Sequence, residues 1–284
     1  MHQVNSNIPK IIWILWYQGL SEAPVIVQKC VNSWIKLNPT WQVIVLSKDD
    51  LDEYIRLDLP EKKLASLPLA KRSNLIRLQL LSEYGGVWAD ATTLCVKPLD
   101  CWVYDYTSSG FFAFSSPGPD RLLSTFFLAS EKGCPIVTRL RQLYVQFFSN
   151  NNFNLEGKFK QFTIKIFKTL FNNSHKTTKF WFNPIVTKIF RVYPYFVCHY
   201  LFERLVAKDP ESRDIWQNTE KLSADLPLFI LKKGFNSDLT LSLKNQIDIN
   251  QVPLYKLKWK YDLSTFSAAS LIYYILGLNE TDQI

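Results

Sequence analysis

The sequence predicts an α/β fold, a mostly parallel sheet wound with helices, and three observations carry that prediction. Strand-length apolar runs alternate with helix-period stretches from residue 10 to residue 90. The first run, KIIWILW at 10–16, is apolar throughout, as in a strand covered on both faces. The helical stretches end in clear stop signals, Asn-Pro at 38–39 and Gly-Gly at 85–86.

In order, KIIWILW reads as the first strand and YQGLSEAP as a turn. From Val25 to Leu37, residues Ile26, Cys30, Trp34 and Leu37 recur at helical spacing. WQVIVL (41–46) reads as the second strand, and Asp49 and Asp50 open a short helix. AKRSNLIRLQLLSEY (70–84) is a strong helix former, ended by Gly85 where a left-handed residue is wanted. VWAD follows as a short strand. It leaves Asp90 at the carboxyl end, where wound sheets bind ligands. Beyond Pro98, GFFAF and STFFLAS read as strands, CPIVTRLRQLYVQFF (134–148) as an amphipathic helix and YPYFVCHYLFERLVA (193–207) as another.

The 284 residues suffice for one large domain, taken as 1–284. Apolar residues make up 47%, yet no run reaches the roughly 18 that span a bilayer; AASLIYYILGL is too short. MHQVNSNIPK lacks a basic head and apolar core, so no signal peptide is expected. Cys30, Cys95, Cys101, Cys134 and Cys198 are odd in number and never spaced Cys-x-x-Cys, which argues against disulfides or structural zinc. A formal charge of +8 implies an anionic partner: a nucleotide, nucleic acid or an anionic membrane.

A carboxylate such as Asp90, on a strand end beside glycines, can hold a divalent cation against a diphosphate, or bind a ribose hydroxyl. The glycines would permit close approach of a ligand. One helical turn apart, Ser73 and Arg77 share a face and Asn74 lies beside it. Arg77 reads equally as a ligand contact or as an ion pair with Glu83 or Asp90.

IPKIIWILWYQG, SNLIRLQLLSEYGGVWADATT, FFLASEKGCPI and VPLYKLKWK resemble the bacterial capsular polysaccharide synthesis proteins, relatives of glycosyltransferase family 32 with the GT-A fold. The family pattern, Ser-Asp-x-x-x-Arg before Gly-Gly-x-Trp/Tyr-x-Asp-x-Thr/Asp, is met by Ser73, Arg77, Gly85, Gly86, Trp88, Asp90 and Thr92. Asn74 departs from it, standing where an Asp is usual. Thr92 replaces the second Asp of the fuller Asp-x-Asp motif, and Tyr255 stands where many relatives have His. The resemblance implies Asp90 as ligand of Mn²⁺ or Mg²⁺, weakly held until the nucleotide completes the site. By the same resemblance Trp16, Gln18 and Gly19 form the base pocket, and Lys256 neutralises the leaving diphosphate. His199, with Glu203 one turn on, would contact acceptor or leaving group, Glu203 being the candidate nucleophile. The activity implied is transfer of a hexose from a UDP-sugar to a lipid-linked glycan of capsule or O-antigen type, with retention. The rival expectation is a non-enzymatic basic membrane- or nucleic-acid-binding protein on a degenerate transferase fold.

Taken alone, Trp16 reads as core, His199 as a hydrogen-bonded core histidine, and Lys256, alternating with Lys258 and Lys260, as a solvated strand edge. The stretch 157–191 holds seven Lys and one Arg with no acidic residue, interleaved with Phe. Such a stretch reads as a solvated basic face, a nucleic-acid surface or an insertion docked on an anionic membrane; Lys with Phe, and no nucleic-acid motif, suits the membrane best. The expected location is cytoplasmic, peripheral on the inner face of the cell membrane.

Overall fold

The computed structural model describes residues 7–153, 155–250 and 252–278. The first six residues, part of the stretch read for a signal peptide, lie outside these. In chain order the elements are β1 (Ile11–Leu15), α1 (Val25–Leu37), β2 (Gln42–Leu46), α2 (Leu51–Tyr54), α3 (Glu61–Ser66), α4 (Leu69–Tyr84), β3 (Gly86–Ala89), β4 (Thr93–Cys95), β5 (Phe111–Gly118) and β6 (Arg121–Ser130). There follow α5 (Pro135–Ser149), α6 (Lys158–Phe171), α7 (Val197–Lys208), α8 (Pro210–Asn218), α9 (Phe229–Lys233), α10 (Leu241–Asn250), β7 (Leu254–Lys256) and α11 (Leu271–Ile275).

A five-stranded sheet in the order β2-β1-β3-β6-β5 organises the molecule. β1 pairs in parallel with β2 and β3, whereas β6 joins β3 and β5 antiparallel. The parallel half is the half built by strand-helix alternation; β5 and β6 form a hairpin, which forces opposite directions. β1 is apolar throughout because both its faces are covered. Trp13 enters the core shared with Leu75 and Leu78 of α4, Val137 of α5 and Leu201 of α7. Ile12 and Ile14 enter a second core with Val27, Val31 and Trp34 of α1. Every residue of α4 from Leu75 to Ser82 is buried, so this helix shows little amphipathic contrast. Truncating Leu75 to Ala there would cost about 2–5 kcal/mol.

The glycines after α4 have a structural reason. Gly85 and Gly86 sit at φ 71° and 91°. A Cβ on Gly86 would lie 2.5 Å from the Ile11 carbonyl oxygen, and one on Gly85 2.6 Å from the Lys132 amide nitrogen. They let β3 lie against β1 and the loop after β6. The close approach is backbone to backbone, not ligand to backbone as expected from the sequence.

A second, two-stranded sheet pairs β4 with β7, Thr93 facing Lys256. β4 begins three residues after Asp90, so this register carries Lys256 to the same strand end. The backbone is closed there by Leu257 N donating to Thr92 O at 2.8 Å. The expected solvated edge is therefore absent at Lys256, whose side chain is 19% exposed, while Lys258 and Lys260 are exposed. α7 starts at Val197 rather than 193, because Pro194 and the residue before it are held out of the helix. Among the described residues no helix is long and apolar enough to cross a membrane.

Candidate active site

The carboxyl ends of β1 and β3, one face of α4, the start of β6, α7 and the segment after β7 enclose a cleft of about 930 Å³. Asp90 stands in it with both carboxylate oxygens engaged. Oδ1 accepts from Arg77 Nη2 at 2.6 Å and from Trp88 Nε1 at 2.9 Å, and Oδ2 accepts from Lys256 Nζ at 2.9 Å. Arg77 is fixed in turn by Asn74 Oδ1 at 2.6 Å and by the Trp88 ring at 4.8 Å. Lys256 also donates to the Thr92 hydroxyl. Of the two pairings read for Arg77, the structure makes the one with Asp90.

Burial opposes ionisation of Asp90, but the charges of Lys256 and Arg77 prevail and hold the carboxyl below its usual range. Two cations face one anion here, leaving the strand end net positive. This arrangement does not fit a resident divalent cation: the metal would have to displace Lys256 from Oδ2 and sit beside two positive charges. Among the described residues no three His, Cys, Asp or Glu side chains gather as a ligand set. Thr92, in place of a second carboxylate, holds a lysine.

At one end of the cleft Trp16 meets Trp259 edge to face at 5.7 Å, with Gln18 beside them, and Trp16 Nε1 is buried with no partner among the described residues. At the other, Lys71 is buried at 4% exposure, its ammonium donating to the Tyr195 carbonyl and lying 4.7 Å from the Tyr195 ring. Burial pushes the Lys71 ammonium down to about 8. Arg121 pairs with Asp120 at 3.1 Å and stacks its guanidinium 3.9 Å over Phe196. His199 places Nε2 3.5 Å from Thr125 Oγ1. Burial first, and then Arg121, Arg77 and Lys71, keep the ring neutral well below the usual histidine range.

Of the site residues expected from sequence, Trp16, Gln18, Ser73, Asn74, Arg77, Trp88, Asp90, Thr92, His199 and Lys256 line this cleft. Three do not. Gly19 forms a turn at φ 89°, its N–H donating to Trp16 O; Gly86 is packed against β1; and Glu203 Oε1 pairs with His175 Nδ1 at 2.8 Å. Glu203 lies one helical turn beyond His199 on the same face of α7, where His175 holds it outside the cleft. Tyr255 belongs to a separate core with Ile230 and Leu271. Sequence reasoning missed Lys71, Arg121, Tyr195, Phe196 and Trp259. No sequence pattern marks Lys71, which is buried on α4 four residues before the continuously buried stretch begins.

Residues 1–188 match the family model described as capsular polysaccharide synthesis protein. The chain is 27% identical over 176 residues to the O-glycosyltransferase braB of Annulohypoxylon truncatum, covering 55% of this chain and 41% of that protein. It is 34% identical over 113 residues to the glycosyltransferase afumC of Aspergillus fumigatus, covering 35% and 29%. The chain thus spans less than half the length of these two curated relatives. Among solved structures, the PaToxG glycosyltransferase is similar at 17% identity and a TM-score of 0.39, over 73% of this chain and 83% of that one.

Proposed function

The chain belongs to the capsular polysaccharide synthesis protein family, and from that premise we propose that it is a GT-A type glycosyltransferase moving a hexose from a UDP-sugar to a lipid-linked glycan, with retention. The observation that carries the reading is Asp90 locked between Arg77 and Lys256 at the strand ends, with net positive charge facing an open cleft. A diphosphate is the ligand such a pair of cations suits, since each can shift from Asp90 to a phosphate oxygen without leaving its place. The indoles of Trp16 and Trp259 offer a stacking surface for the base, and Asp90, freed of one cation, accepts from a sugar or ribose hydroxyl.

In the transfer the bond from the anomeric carbon to the phosphate oxygen breaks and its electron pair stays on the diphosphate. Lys256 and Arg77 stabilise that developing charge, an effect worth about 10²–10³ in rate for each well-placed donor. The acceptor hydroxyl oxygen bonds to the anomeric carbon on the same face, and its proton passes to the departing phosphate oxygen. With Glu203 outside the cleft, no enzyme-bound intermediate is invoked. A lipid-linked acceptor is supported by α6, whose outer face carries exposed Phe159, Phe162 and Leu170 beside exposed Lys158 and Lys165. Such a face suits an anionic membrane at the inner side of the cell.

The test is a panel of UDP-sugars incubated with the protein, with EDTA or with Mn²⁺, reading slow hydrolysis and the anomer released. One UDP-sugar should be hydrolysed above the rest. UDP binding without turnover of any sugar would favour a non-enzymatic role on the same fold.

A further inference from the structure

The wall of the cleft opposite the indoles has a charge that nothing in the donor reading uses. Five cations and two carboxylates line the cleft, and one carboxylate, Asp90, is already shared by Arg77 and Lys256. Lys71 is buried, yet among the described residues no carboxylate lies within salt-bridge distance; its ammonium meets a carbonyl and the rings of Tyr193 and Tyr195. A buried ammonium without a counter-ion is costly, so a negative group arriving from outside would be stabilised beside Lys71. Arg121 spends Nε on Asp120 and Nη2 on the Pro117 carbonyl, and Asp120 is also held by the Tyr200 hydroxyl. Between these two cations His199 Nδ1 is buried and unpartnered among the described residues.

We propose that Lys71 and Arg121, framed by Tyr195, Phe196 and His199, form a second anion site that takes a phosphate group carried by the acceptor. It deepens the transferase reading and rests on it. Lys71 and Arg77 lie six residues apart on α4, about 9 Å of helix rise, so donor diphosphate and acceptor phosphate would bind at two stations along one helix. The exposed Tyr195 ring and the Phe196 ring beneath Arg121 give the sugar next to that phosphate two apolar faces. A neutral imidazole between the stations can hydrogen-bond the attacking hydroxyl without adding a charge.

The experiment loads the full chain with UDP, filling the first station, and titrates glucose 1-phosphate, methyl glucoside and inorganic phosphate by calorimetry. Glucose 1-phosphate should bind at least about 10-fold tighter than methyl glucoside, the worth of one charge-assisted contact. Lys71→Met and Arg121→Gln should each remove that preference while leaving UDP affinity within about 2-fold. Lys71→Met should also keep or raise Tm, because it removes a buried charge. Equal binding of sugar and sugar phosphate, or inorganic phosphate binding as tightly as glucose 1-phosphate, would overturn it too. If Lys71→Met does not fold, Arg121→Gln alone decides. Competition by a long-chain alkyl phosphate in neutral vesicles would identify a lipid source; its absence, with glucose 1-phosphate still bound, a soluble one. Failure of UDP to bind would instead refute the donor reading, and the titration of UDP-free protein would still report on Lys71.

Discussion

Asp90 keeps its charge because Lys256 and Arg77 face it, and those cations keep their places because Asp90, Thr92 and Asn74 hold them. The three charges behave as one unit, so truncations should not add. Lys256→Ala should lower kcat by about 10²-fold with a smaller change in KM, since the ammonium matters most when the diphosphate charge develops. Asp90→Asn should lower kcat/KM at least as much and also lower Tm, because it leaves two poorly solvated cations without their anion. Donor binding to the unaltered protein should persist in EDTA, the positive charge being supplied by side chains. Full turnover in Lys256→Ala, or loss of UDP binding on chelation, would remove Lys256 from this role.

Among the elements, β1, β2, α1 and α4 were legible to within one residue because each is a long periodic or continuously apolar run with a stop signal of its own. The carboxylate at the end of β3 was legible for the same reason. The pairing of β4 with β7 was not: two three-residue strands have no period to read, and their partners lie far apart in the chain. That pairing delivers Lys256, which composition alone placed on a solvated edge. Lys71 and Arg121 were illegible because burial, not pattern, gives them meaning. α6 was legible as basic and aromatic, and the structure divides its aromatics. Phe167 and Phe171 pack inward near Trp181, while Phe159, Phe162, Ile166 and Leu170, at i, i+3, i+7 and i+11, form an exposed stripe. Lys160 is tied to the Phe190 carbonyl, leaving Lys158, Lys165 and Lys168 exposed. Changing those three to Ser should weaken binding to anionic liposomes by about 10²-fold at low salt, at about 1 kcal/mol each. Phe159→Ser with Phe162→Ser should weaken binding at every salt concentration, whereas salt alone should weaken only the charged part. Binding to neutral and anionic liposomes alike, or to neither, would end the docking assignment.

At the scale of the whole molecule, a chain of net charge +8 lines its cleft with more cations than carboxylates, and the buried groups there carry protonation states unlike those of the unfolded chain. His199 is held below its unfolded value of 6.5, by burial first and then by Arg121, Arg77 and Lys71. Below pH 6.5 the unfolded chain therefore binds a proton that the fold refuses, and stability falls as pH drops. Asp90 adds a second acid limb, because its depressed carboxyl contributes stability above 3.8 that is lost as pH falls through the folded value. On the alkaline side Lys71, about 8 folded and 10.5 unfolded, makes stability rise with pH between those values. Buried thiols act the other way: Cys30 and Cys95, raised from 9.0 to about 12, keep protons in the fold that the unfolded chain releases, so stability falls above pH 9. Cys198, raised to about 11 by burial, and Cys134, also raised, add to them; the thiols outweigh the ammonium groups, and Tm measured calorimetrically should pass through a maximum between pH 7 and 9. His199→Gln should flatten the limb between pH 6.5 and 5, and Lys71→Met should steepen the alkaline fall by removing one of the groups that oppose it. An acid limb unchanged in His199→Gln would show that the ring protonates freely, and with it that the cations around the cleft do not act on one another through His199.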